Sequence, residues 1–379
     1  MTAVDSAQIV IPVEMLPGDG RFGCGPSKVR AEQVDSLARV ATTYLGTSHR
    51  QATVKGQVAR IQEGLRDFFK LPDDYSVVVG NGGATAFWEV ATFGLIRERA
   101  QFLSFGEFGS KFAKSASIAP FLGEQDVRLA PAGSAPVFEA ADGIDVYASP
   151  HNETSTGVAI KPGRVAGSSD DSLMVFDATS GAGGLPVRAA DFDVYYFSPQ
   201  KSFGSDGGLW IALMSPLALE RAREISASGR HIPAFLDLVT AIDNSVKNQT
   251  YNTPALATIW MMAEQVDWFN KSGGIDWAVA RTQESASTLY SWAESNVWTT
   301  PFVADPELRS AVVGTIDIHE RLDAAAVAKA LRANGIVDTE PYRKLGRNQL
   351  RIAMFPSVEP ADVAALTRCI DYLIARMAG

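Results

Sequence analysis

The sequence predicts an α/β fold: a large domain with a mostly parallel central sheet flanked by helices, plus a small C-terminal α/β sandwich. Short β-rich runs recur through the middle of the chain, each stopping abruptly at small or polar residues, with helical patterns between several of them. Beyond about residue 275 the order strand, helix, strand, helix appears as a compact unit of its own.

The β-rich runs justify themselves one by one. Tyr75–Val79 leads into Gly80-Asn81-Gly82-Gly83-Ala84-Thr85, and Gln101–Phe105 into Gly106-Glu107-Phe108-Gly109. Ile144–Ala148 leads into Ser149-Pro150-His151-Asn152-Glu153-Thr154, Leu173–Phe176 into Asp177, and Val194–Phe197 into a short loop holding Lys201. A helical pattern over Ala84–Arg99 follows the glycine loop. In such sheets ligands bind outside the carboxyl ends of the strands, so these polar ends are expected to converge on one site.

After the lysine loop and the run Leu209–Met214, helices are predicted over Ser215–Ser228, Pro254–Lys271 and about Trp277–Ser295, with Thr253 as N-cap of the second and Pro254 at its first position. The last unit reads strand Ala311–Ile318, helix Asp323–Ala333 with Gly335 as its stop, strand Gln349–Phe355 and helix Pro360–Met377. The expected organisation is an N-terminal arm of residues 1–25 packing with the small domain, a large domain of residues 26–274, and the small domain of residues 275–379.

Composition narrows the partners. The chain has 379 residues, is 46% hydrophobic and carries a formal net charge of −9, which disfavours nucleic acid and anionic membranes and favours small molecules. Cys24 and Cys369 lie at opposite ends, so neither a disulfide framework nor a metal site is expected. Asp5 comes early, Pro12 interrupts the apolar run Ile9–Val13, and no apolar stretch approaches membrane-spanning length. A reducing cytoplasm fits this pattern.

The chemistry centres on Lys201. A lysine is a nucleophile only as the free amine, and the apolar neighbours Phe197, Phe203 and Trp210 would lower its pKa by desolvation and favour Schiff-base chemistry with a carbonyl. A pyridoxal phosphate site further needs an anion cradle, a carboxylate at the pyridine nitrogen, a flat surface for the ring and a donor for its phenolic oxygen. Gly82-Gly83-Ala84-Thr85 opens a helix and offers backbone N–H groups to a phosphate. Asp177, Phe108 and Thr154 are the candidates for the other three roles. Each also has a plain structural reading. The glycine loop can be an ordinary strand-to-helix turn, or an imperfect dinucleotide fingerprint with Thr85 where the third glycine belongs. Asp177 can cap the loop Thr179–Gly184, Phe108 can be core, and Thr154 a turn residue.

The order and placement of these residues resemble the phosphoserine aminotransferases of the class V, fold-type I pyridoxal phosphate enzymes, and most closely their actinobacterial branch. The resemblance is carried by F-G-C-G-P-S-K at Phe22–Lys28, T-S-H-R at Thr47–Arg50, N-G-G-A-T at Asn81–Thr85, H-N-E-T-S-T-G at His151–Gly157, F-D-A-T-S at Phe176–Ser180, S-P-Q-K-S-F-G at Ser198–Gly204, Y-N-T-P at Tyr251–Pro254 and L-R-I-A-M-F at Leu350–Phe355. It implies Lys201 as the Schiff-base lysine and proton shuttle, and Asp177 at the pyridine nitrogen. It implies Gln200 beside the cofactor phosphate, Gly83, Ala84 and Thr85 as its cradle, Phe108 as stacking ring, and Thr154 at the phenolic oxygen.

Asn252 and Thr253 would reach the cofactor phosphate of a partner subunit, which makes the site a property of a homodimer. Arg351 would hold the substrate α-carboxylate. His49 and Arg50, with Arg343, would surround the side-chain phosphate of 3-phosphohydroxypyruvate or the γ-carboxylate of glutamate. The chain departs from many members in having Tyr342 before Arg343 where they have histidine, and Phe108 where they have a tryptophan. Tyrosine hydrogen-bonds but carries no positive charge. Rival readings are an aminotransferase for unphosphorylated small acids, a cysteine desulfurase, for which neither cysteine lies in a convincing C-terminal active-site loop, and a non-catalytic nucleotide- or phosphate-binding protein.

Overall fold

A computed structural model describes residues 6–378; residues 1–5 of the expected arm, Asp5 among them, and Gly379 lie outside the described residues. Helices α1 (Ala31–Tyr44) and α2 (Ala52–Phe69) precede β1 (Ser76–Asn81) and α3 (Ala84–Gly94). Then come β2 (Ala100–Ser104), α4 (Glu107–Ser117), β3 (Asp126–Leu129), β4 (Val146–Pro150) and the short pair β5 (Asn152–Glu153) and β6 (Val158–Ala159). Strands β7 (Leu173–Asp177), β8 (Val194–Phe197) and β9 (Leu209–Met214) follow, with helices α5 (Pro216–Ala227), α6 (Leu238–Ser245), α7 (Leu256–Ser272) and α8 (Gly274–Ser295). The C-terminal part contains β10 (Thr299–Pro301), β11 (Val313–Ile318), α9 (Ala324–Ala333), β12 (Gln349–Ala353) and α10 (Pro360–Met377).

The large sheet has the order β1-β9-β8-β7-β4-β2-β3. Only β9 runs against its neighbours β1 and β8; every other pair is parallel. Strands β2, β4, β7 and β8 are buried along their whole length, as expected when helices cover both faces. Alternation along β8 shows the two layers. Tyr195 and Phe197 enter the core shared with Phe68 of α2 and Phe269 of α7, while Val194 and Tyr196 enter the core shared with Phe87 of α3 and Phe112 of α4.

A second, antiparallel sheet, β10-β11-β12, packs with α8, α9 and α10. Its core includes Ile9, Ile11 and Phe22 from the N-terminal segment beside Leu331, Leu350 and Ile370. Phe22 is stitched there on both sides: its N–H donates to Val337 O at 3.2 Å and its carbonyl accepts from Ala353 N at 3.0 Å.

Several element ends shift by a few residues from the sequence pattern, and two of these shifts have a clear local reason. The helix expected to run to Arg99 stops at Gly94, because the N–H groups of Arg97, Glu98 and Arg99 all donate to the Asp145 carboxylate, each at 2.9 Å. The helix expected to start at Pro254 starts at Leu256, with Ala255 as its N-cap residue. Thr253 does not cap it; its hydroxyl sits 3.2 Å from His49 Nδ1 instead.

Helix α4 starts within the stretch that reads as a polar strand end. Its N-cap residue, Gly106, has no side chain to cap with, and the buried Glu153 carboxylate does so from β5, accepting from Phe108 N and Gly109 N at 3.0 Å. Glu153 also accepts from Ser155 N at 3.1 Å and Ser155 Oγ at 2.6 Å. Glu153→Ala strands those donors in a dry site, and a loss of about 3 kcal/mol in unfolding free energy is expected from urea titration.

Candidate active site

The parallel register brings the strand ends together: Pro150 of β4 lies opposite Asp177 of β7, and Asp177 opposite Tyr196 of β8. Above them a cavity of about 440 Å³ is lined by Gly83, Ala84, Thr85, Phe108, Thr154, Asp177, Gln200 and Lys201, together with Gly25, Trp88, Asn152, Thr179 and Ser180. A larger hollow of about 580 Å³ lies at the opposite end of the strands, beside Tyr75, Arg164 and Ser215. Its Arg164 and Asp193 satisfy each other through two 2.8 Å contacts, which leaves that pair no charge to offer a ligand.

Lys201 Nζ donates to Cys24 O at 2.7 Å and lies 5.6 Å from the centre of the Phe108 ring. Gly25 beside it has φ +144°, which strains any other residue, and a Cβ there would also displace the lysine side chain. Burial lowers the Lys201 pKa to about 8; Arg351 acts in the same direction, while Cys24, Asp177 and Glu153 oppose it. The sign follows from linkage. An unfolded chain with lysine near 10.5 holds a proton that the folded site gives up between about 8 and 10.5, so this group's contribution to stability is least favourable below pH 8 and improves across that window. The rate at which cofactor-free protein takes up pyridoxal phosphate is accordingly expected to rise with pH, levelling off above about 8, as followed by absorbance.

Asp177 forms the floor, with Oδ1 accepting from Thr179 N at 3.0 Å and Oδ2 from Trp88 Nε1 at 2.9 Å. Thr154 Oγ1 donates to Ser180 Oγ at 2.7 Å, and Asn152 Nδ2 donates to the same oxygen at 2.8 Å. At the opening of α3 the backbone N–H groups of Gly83, Ala84 and Thr85 have no partner among the described residues. Gln200 Oε1 and Thr179 Oγ1 are buried and unpartnered beside the cavity.

The expected anion holders divide into two groups. Arg351 reaches across from β12: Nη1 donates to Thr154 O at 3.2 Å, the guanidinium lies 5.3 Å from the centre of the Tyr342 ring, and Nε is buried without a partner. Tyr342 in turn lies 6.2 Å from Phe108, while Arg343 is exposed and Lys344 pairs with Glu107. His49, Arg50, Asn252 and Thr253 do not line the Lys201 cavity. They cluster beside the end of β1, where Arg50 donates to Gln249 Oε1 at 2.7 Å and Asn81 Nδ2 donates to Asn252 O at 3.2 Å. His49 Nε2 there is buried and unpartnered.

Residues 116–339 match the class-V aminotransferase family. The chain belongs to that family. Within it, a phosphoserine aminotransferase of Nocardioides sp. is 63% identical over 365 residues, covering 96% of this chain and 98% of that protein. One of Rhodococcus jostii is 60% identical over 368 residues, covering 97% and 98%. Among solved structures, a phosphoserine aminotransferase of Cytophaga hutchinsonii superposes with a TM-score of 0.86 at 21% identity, covering 93% of this chain and 99% of that one. The fold is also shared with a ureidoglycine–glyoxylate aminotransferase of Bacillus subtilis, at a TM-score of 0.79 and 17% identity over 98% of this chain and 95% of that one, so fold alone selects no substrate.

The cavity of this class-V aminotransferase fits pyridoxal phosphate on its own chemistry. A buried amine with lowered pKa, a doubly anchored carboxylate and unpaired N–H groups at a helix start face one space. The buried thiols fit no nucleophilic role, since burial raises the pKa of Cys24 and, to about 11, that of Cys369. Trp88, Ser180 and Gly25 escape a reading of strand ends, and Asn152 lies in one such end without a role assigned from sequence. Trp88 is the one with a usable signal, lying four residues after Ala84 and so on the same face of α3.

Proposed function

We propose that this aminotransferase is a phosphoserine aminotransferase, which moves the amino group of L-glutamate to 3-phosphohydroxypyruvate and yields 2-oxoglutarate and O-phospho-L-serine in two half-reactions. The buried Lys201 amine facing Asp177 supports the reaction class, and the 63% identity to a phosphoserine aminotransferase supports the substrate. Serine biosynthesis in the cytoplasm is the setting this reading implies; among the described residues no helix is long and apolar enough to cross a membrane.

Bound pyridoxal phosphate supplies an aldehyde that exchanges with amino groups and an electron sink for the electrons left when the substrate Cα proton departs. Lys201 would hold it covalently, the N–H groups of Gly83, Ala84 and Thr85 with Gln200 would hold its phosphate, Phe108 would cover its ring, and Thr154 would meet its phenolic oxygen. Asp177 would keep the pyridine nitrogen protonated. The Lys201 amine, whose proton burial makes easier to lose, would take the proton from substrate Cα and return it on the other side of the reaction. Arg351 holds the α-carboxylate with a fork of N–H donors, one of which is buried and unpartnered.

The distal anion falls to Arg343, His49 and Arg50. Because His49, Arg50, Asn252 and Thr253 cluster away from the Lys201 cavity of their own chain, they serve the cavity of a second copy across a homodimer. Mixing Lys201→Ala with Arg50→Ala subunits then regenerates one intact site per hybrid dimer, and activity well above that of either variant alone is expected after subunit exchange. A mixture no more active than its parts would place Arg50 outside a shared site.

The deciding experiment is the visible spectrum of the purified protein. A yellow band bleached by glutamate and restored by 3-phosphohydroxypyruvate is expected; restoration by glyoxylate but not by the phosphorylated acid would replace the substrate reading. Tyr342, an uncharged residue beside Arg351, is the feature that favours testing unphosphorylated acceptors. The homologous phosphorylated hydroxy-oxobutyrate of pyridoxine biosynthesis belongs in the same comparison.

A further inference from the structure

We infer that Trp88 is a positioning residue for Asp177, and that α3 thereby sets the span between the two ends of the cofactor. The inference rests on the reading of Asp177 as the partner of the pyridine nitrogen. Both carboxylate oxygens already accept one protein donor, Thr179 N at 3.0 Å on Oδ1 and Trp88 Nε1 at 2.9 Å on Oδ2, and a carboxylate held at both oxygens cannot rotate about its Cβ–Cγ bond without breaking one of them. An indole N–H only donates, so the contact has a single polarity.

The indole itself is fixed. Trp88 is 5% exposed, with its ring in the core formed with Phe87, Tyr196 and Trp210. Ala84 and Trp88 stand four apart on one face of α3, whose opening presents the unpaired N–H groups of Gly83, Ala84 and Thr85. One rigid helix therefore meets the phosphate through its first turn and the nitrogen's carboxylate through its second. A shift of α3 moves both anchors together.

A core tryptophan that merely packs would have no preference for what Asp177 does, and this separates the two roles. In the cofactor-free protein, water entering the cavity can replace a missing donor to Asp177; with the cofactor seated it cannot. Trp88→Phe keeps the packing and removes the donor, so the dissociation constant for pyridoxal phosphate, read by absorbance titration of the full-length cofactor-free chain, is expected to rise about tenfold. In an Asp177→Ala background the same substitution is expected to change nothing.

An equal rise in both backgrounds, or no rise in the first, overturns the inference and leaves the proposed function intact. A wild-type chain that binds no pyridoxal phosphate overturns both. If Trp88→Phe does not fold, Trp88→Leu takes its place in the same cycle with the same expectations.

Discussion

Lys201→Ala is expected to lower kcat by about 10⁴-fold, with the protein folded and still able to take up pyridoxal phosphate noncovalently. The size follows from the loss of two services at one atom. In the proposed function the amine is both the site of covalent attachment and the base that carries the proton at substrate Cα. No neighbour can substitute, since the phenols of Tyr195 and Tyr196 are buried with their ionisation strongly suppressed, and the Glu153 carboxylate is occupied by four donors. The check is turnover at saturating glutamate and 3-phosphohydroxypyruvate, alongside borohydride treatment, which should fix the cofactor to the wild-type chain and not to the variant. Turnover within tenfold of wild type would sink the assignment.

Asp177→Asn is expected to lower kcat by about 10²- to 10³-fold while leaving KM for both substrates within a few-fold. An amide cannot balance a protonated pyridine nitrogen, so the electron sink weakens in the transition state, whereas the substrate's own holders stay in place. Trp88 and Thr179 would still be near: Asn can accept from one of them, but its amide N–H₂ then meets the other donor head on. A variant with unchanged kcat would mean that Asp177 acts only as a loop cap.

Much of this site was legible in the sequence because a parallel sheet gathers its strand ends, and each end here is marked by residues that a buried strand would reject. Asp177 after Leu-Met-Val-Phe and Lys201 after Val-Tyr-Tyr-Phe are of this kind. The edges of elements were less legible where a distant carboxylate decides them. Asp145 ends the α3 region by collecting three N–H groups, and Glu153 starts α4; neither leaves a trace in the local pattern. Thr253 followed by Pro254 looks like a helix start, and its side chain is drawn instead to His49, a contact between residues far apart in the chain. The role of Trp88 was hidden for the same reason: its partner lies on another strand, and an apolar helix face explains a tryptophan without it.

The N-terminal segment has a consequence for the order in which the site comes into being. Phe22 is held by Val337 and Ala353, while Cys24 meets Lys201 Nζ and Ser27 meets Gln200 O. The large sheet is complete once β9 has been made, so it can form early on a growing chain. The segment at Phe22 must wait for β12 before it has both of its partners. The carbonyl that meets the lysine amine is thus anchored on both sides only after β12 exists, and the reactive pocket is finished later than the sheet that carries the lysine.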